Sequence, residues 1–193
     1  APYVLPNVVR FIMSTHPKAE LHIHELQTVH LLDSLRRGVI DLGLLALPVG
    51  SEEFTTESIG LDSFVLAMSE SHPLAKEKSP VKLDVLRDER VILLEEGHCL
   101  RDQVTQVCRL VFSEPSEVQA TSMATLAQMV AAGLGVTLLP ECAVKIEAAP
   151  GRGIVTRKFV GVPPNRTVGL VWRKSSPYSR AFSELAELLT DKK

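Results

Sequence analysis

Residues 91–112 read VILLEEGHCLRDQVTQVCRLVF, and they hold one complete structural unit. Val91 to Leu94 form a short apolar run that ends in two glutamates and a Gly-His pair. From Cys99 onward, Val104, Val107, Cys108 and Val111 recur at helical spacing. The stretch therefore predicts a buried strand over VILLEE and a helix from Cys99 to Phe112.

The same order repeats along the chain. Val4, Leu5, Val8, Val9, Ile12 and Met13 give a first helical stripe, closed by Pro17. AELHIHEL alternates, Leu21 and Ile23 against His22 and His24, and predicts a half-buried strand. Thr28 is the expected N-cap of a helix with Leu31, Leu32 and Leu35 inside, ending at Gly38. VIDLGLLAL is near-continuously apolar, as in a parallel strand covered on both faces. IGLDSFVLAM, EVQAT, GVTLLP and RTVGLVW predict further strands, with helices over Ser122–Ala132 and PYSRAFSELAELL. Alternation of this kind predicts an α/β fold of parallel sheets with helices on both faces.

Polar, proline-containing stretches at SESHPLAKEKSP and GVPPNR mark two crossings between lobes. They divide the chain into lobe I, residues 1–68 plus 168–193, and lobe II, residues 69–167, with a ligand cleft expected at the strands' carboxyl ends.

Composition excludes several classes of function. The 193 residues are 45% apolar and 23% charged, and no apolar run is long enough to cross a membrane. Lys plus Arg is 21 against 23 for Asp plus Glu, a net charge of −2 without a basic stripe, so this segment should not bind nucleic acid by itself. Three cysteines, an odd number, and no signal-peptide pattern point to a reducing cytoplasm. Pro2 and Pro6 open straight into a helical pattern, as expected of a piece of a longer protein.

The cysteine stretch carries the chemistry. Nine helical steps put Cys99 and Cys108 about 13 Å apart on opposite faces, whereas a disulfide needs Cα atoms within about 7 Å. The pair is either two unrelated thiols or the ends of a switch that unwinds a helix to close. Amide groups at the helix start favour thiolate at Cys99, with His98 and Arg101 beside it. A thiolate attacks a peroxide to give a sulfenic acid, and a second thiol condenses with that acid.

Other constellations have plainer readings. Cys142 reads as a small buried hydrophobe, and His22 and His24 as solvated strand residues. His22, His24, His98 and Cys99 lack zinc-ligand spacing, so no metal is expected. Glu95 and Glu96 read as a strand end. GLG at 133–135 reads as a helix cap and turn, because a phosphate loop would precede its helix and carry a lysine; no cofactor is expected.

GHCLRDQ with its distal Cys108, MVAAGLGVTLLP, and HELQT together resemble the regulatory domains of the OxyR family, peroxide-sensing members of the LysR-type transcriptional regulators. The likeness spans nearly the whole chain, and GHCLRDQ with the distal cysteine is its specific part. The resemblance implies two Rossmann-like lobes, like a periplasmic binding protein, and an N-terminal helix-turn-helix DNA-binding domain outside this chain. It implies Cys99 as the peroxidatic cysteine, Cys108 as its disulfide partner, Thr28 and His98 as peroxide-binding groups, and Asp102 and Arg166 as supporting residues. A further threonine of that site would fall just before Ala1, and SEVQATS lacks a histidine that some relatives carry upstream of ATS. The implied partners are hydrogen peroxide, a second copy in a dimer or tetramer, promoter DNA through the absent domain, and a thiol reductant such as glutaredoxin or thioredoxin. Two rival functions fit the same fold. One is a LysR-type effector domain that binds a small metabolite, Thr121 and Ser122 holding an anion. The other is a thiol peroxidase, which would need a reductant docking route although no C-x-x-C motif is present.

Overall fold

The computed structural model describes residues 2–190 and divides into two compact units, residues 1–61 with 167–193, and residues 62–166. Two strands run on from one unit into the other, β2 (Phe54–Ser69) and β7 (Asn165–Arg173). Both boundaries thus fall inside strands. The polar stretch SESHPLAKEKSP belongs to the second unit, where it carries a short 3-10 helix, Pro73–Lys76.

In the first unit β1 (Gly43–Leu47) lies at the sheet edge, antiparallel to β7, with Leu45 opposite Gly169. The expected parallel strand is therefore an antiparallel one. Its apolar run has the reason given for it, because both faces are covered. Trp172, Leu170 and Ile59 pack with Phe11 of α1 (Leu5–Thr15) and Leu185 of α6 (Ser179–Thr190). Val171, Leu45 and Phe54 pack with Leu35 of α2 (Thr28–Arg36). Alternate residues of β7 feed opposite layers, as the pleat requires.

AELHIHEL forms no strand. Residues 20–27 have no regular structure, and Leu21, Ile23 and Leu26 are exposed. Alternation alone gives a strand nothing to pair with, and an unpaired extended segment gains no ladder hydrogen bonds.

The second unit continues β2, whose Phe64, Leu66 and Met68 enter one core and whose Val65 and Ala67 enter another. β5 (Thr137–Pro140) and β6 (Ile154–Arg157) both pair antiparallel with β2, so the expectation of wholly parallel sheets fails here too. Parallel pairing joins β3 (Leu93–Leu94) to β4 (Gln119–Ala120) and occurs at the bridges Val91–Val136 and Val81–Phe159. The larger core receives Leu100, Val104, Val107 and Cys108 from α3 (Cys99–Leu110), and Val111 just past its end. The smaller receives Ala127 and Val130 of α4 (Met123–Ala131), with Val144 of α5 (Glu141–Glu147) against it.

Glycines 133 and 135 close α4 and start β5. Gly133 takes a left-handed φ of 80° just past the helix, and a Cβ on Gly135 would collide with the Arg90 carbonyl. That contact lets Val136 donate to Arg90 O at 2.9 Å. The turn reading of GLG holds.

Candidate functional site

Cys99 is the first residue of α3 and partly exposed, while Cys108 is completely buried in the larger core. Both thiols are free, as is Cys142. Because α3 is unbroken between them, the helical rise keeps the pair about 13 Å apart. Burial pushes the Cys108 thiol up from its ordinary value, opposed by a hydrogen bond with Ser113. It is held as a thiol with no route to Cys99 while the helix stands.

The start of α3 is built by a tight approach. Gly97 has φ 92°, His98 is the N-cap in extended conformation, and the His98 carbonyl accepts from Arg101 N at 2.9 Å. The His98 side chain makes no capping bond, so its ring has no structural duty at the helix end. Arg101 turns back to donate from Nη1 to the Leu94 carbonyl at 2.9 Å, and Glu96 Oε1 lies 4.0 Å from its Nη2. It ties the helix to β3. Glu95 and Glu96 are exposed strand-end residues, and the Glu95 amide donates to Ala120 O.

Asp102 is exposed in the first turn, where a carboxylate is favoured by the helix dipole. Gln103, which the sequence did not single out, follows Cys99 by four residues and so shares its face. Its Oε1 is buried and has no hydrogen-bond partner. An unpaired buried acceptor is costly, and it marks a place suited to a small ligand that donates a hydrogen bond. Only the i,i+4 spacing from the cysteine hinted at it.

Thr28 is the first residue of α2 and half-buried; the N-cap is Gln27, which corrects the capping role expected of the threonine. Arg166 is partly buried and engaged within the second unit. Its Nε and Nη2 donate to Asp62 Oδ2 at 3.0 and 2.9 Å, and its Nη2 lies 3.7 Å from Cys142 Sγ. Asp62 also accepts from the Cys142 amide and thiol, both at 3.1 Å. Cys142 is thus a thiol donor in a polar cluster, which corrects its reading as a plain buried hydrophobe. Burial first, then the hydrogen bond and charge of Asp62, push its thiol up to about 11.

Ser122, offered as an anion holder in the metabolite reading, is occupied by its own helix: its Oγ accepts from Thr125 N at 3.1 Å. Among the described residues no group of three His, Cys, Asp or Glu could hold a metal, and no helix is long and apolar enough to cross a membrane.

A free, partly exposed cysteine thus opens α3, and a second, buried one lies near its end. All 193 residues match the LysR substrate binding domain model, and the chain belongs to that family. Within it the chain groups with the OxyR regulatory domains. It is 37% identical to the reduced regulatory domain of OxyR2 from Vibrio vulnificus, with a TM-score of 0.87 over 99% of this chain and 90% of that one. A serine mutant of OxyR from Corynebacterium glutamicum with hydrogen peroxide bound is 35% identical, with a TM-score of 0.90 over 99% of this chain and 61% of that one. A probable hydrogen peroxide-inducible genes activator from Mycobacterium avium is 42% identical over 190 residues, 97% of this chain and 60% of that protein. The chain spans about 60% of the length of the curated relatives it matches.

Proposed function

We propose that this chain is the regulatory domain of a hydrogen-peroxide-sensing transcriptional regulator, a switch and not an enzyme. The observation that carries the reading is the contrast along α3: Cys99 accessible at its start, with the unpaired Gln103 Oε1 one turn on, and Cys108 sealed in the core. The peroxide-related names and titles of the relatives support it.

In the first step the Cys99 thiolate attacks one peroxide oxygen. The O–O bond breaks, Cys99 becomes a sulfenic acid, and hydroxide leaves. Gln103 Oε1 accepts a hydrogen bond from the bound peroxide; Thr28 and His98 supply donors toward the departing oxygen, and Asp102 and Arg166 support the site. In the second step the Cys108 sulfur attacks the sulfenic sulfur. An S–S bond replaces S–O, and water carries away the Cys108 proton.

The two lobes, residues 1–68 with 168–193 and residues 69–167, form the framework, and the redox helix lies in the second. In the whole protein, disulfide closure changes how copies of the regulator associate in a dimer or tetramer, and so how an N-terminal helix-turn-helix sits on promoter DNA. A cytoplasmic thiol reductant of the glutaredoxin or thioredoxin class resets it. Intact-mass measurement with thiol trapping after one equivalent of peroxide tests the reading. Loss of two free thiols mapped to one Cys99–Cys108 bond is expected; retention of all three free thiols would remove it.

A further inference from the structure

The far end of α3 is fastened by contacts that the peroxide chemistry does not use. Arg87 sits in the 3-10 helix Leu83–Asp88, and its Nε donates to the Val111 carbonyl at 2.7 Å. Its guanidinium carbon also lies 5.9 Å from the centre of the Phe112 ring. Beside it, Ser113 Oγ donates to the Leu86 carbonyl at 2.8 Å, while the Ser113 amide donates to the Cys108 carbonyl at 3.0 Å. Ser113 is buried and also hydrogen-bonds the Cys108 thiol. Between these anchors Phe112 takes a φ of 54°, and it is the non-glycine with positive φ among the described residues. Such a backbone persists only where its surroundings hold it.

We propose that Arg87 and Ser113 form a latch that fastens the C-terminal end of α3, and Cys108 with it, to the Leu83–Asp88 turn, and so sets the rate at which Cys108 reaches oxidised Cys99. The proposal rests on the two-cysteine reading above. Peroxide is the oxidant, and the latch acts on the second step alone, in which S–S forms, S–O breaks and water leaves. Cys99 stays at the start of α3, and the anchored residues begin at Cys108, so the segment that must move is the one the latch holds. Opening also takes Cys108 out of the core, relieving the burial that holds it as a thiol.

Two rates separate the steps in the intact chain. Stopped-flow peroxide consumption reports sulfenic acid formation, and quenched thiol trapping reports disulfide closure. For Arg87→Ala with Ser113→Ala, closure should be about tenfold faster than in the parent, from the lost side-chain hydrogen bonds to the Val111 and Leu86 carbonyls and to the Cys108 thiol, while the first rate stays within about twofold. Without oxidant, amide exchange at 108–113 should rise about tenfold and exchange at 100–104 should not change. Val130→Ala, which opens the smaller core away from α3, is the control for general loss of stability and should close at the parental rate.

Closure at the parental rate in the double variant, or equal acceleration in Val130→Ala, would overturn the latch while leaving the switch intact. No Cys99–Cys108 bond in the parent would overturn both.

Discussion

Cys142 shows what one residue can report. Its thiol donates to Asp62, beside the Arg166 guanidinium, and its folded value of about 11 lies above the ordinary 9.0. A group raised in the folded state stabilises the fold in full below its unfolded value, and the contribution disappears as pH rises through the folded value. The window is therefore about pH 9 to 11. Cys142→Ser keeps a donor for Asp62 without a group that ionises there, so its stability should fall less steeply across that window than the parent's. Chemical denaturation at pH 8, 9, 10 and 11 checks this, and parallel curves for the two proteins would contradict it. None of this was legible in the sequence, because Asp62 and Cys142 lie 80 residues apart and only the fold brings them together. Cys99 and Cys108 are the opposite case. Their nine-residue spacing on a helical stripe already placed one at the helix start and the other on its apolar face.

Among the elements, the turn from α4 into β5 depends on a close backbone approach. Val91 and Val136 can bridge only because Gly135 lets the Arg90 carbonyl come close. Gly135→Ala should cost about 1–3 kcal/mol, as overpacking does, and should loosen β5 before α6. Urea denaturation gives the size, and amide exchange at residues 136–140 against 182–188 gives the location; a change under about 0.5 kcal/mol would show that the strand end yields freely. GLG was legible because a cap and a tight turn are local. VIDLGLLAL was half legible: an apolar run reports cover on both faces but carries no information on strand direction, which the pairing of β1 with β7 decides. AELHIHEL misled for a related reason, since alternation describes a surface and not a partner. β6 and α5, of four and seven residues, are too short for periodicity to rise above noise.

At the scale of the whole molecule, the proposed function turns on whether a bond between two sulfurs can abolish a helix. Sequence spacing, the unbroken α3 and the core around Cys108 agree that the reduced fold and the Cys99–Cys108 disulfide exclude each other. On the proposed reading, oxidation has a global consequence only through the bond, not through the sulfenic acid that precedes it. Amide exchange across residues 99–112, measured before and after one equivalent of peroxide in the parent and in Cys108→Ser, tests this most directly. Loss of protection in the parent, with full protection kept in a Cys108→Ser protein whose Cys99 is trapped by dimedone, is the predicted result. Equal loss in both would contradict it and assign the shape change to the sulfenic acid alone.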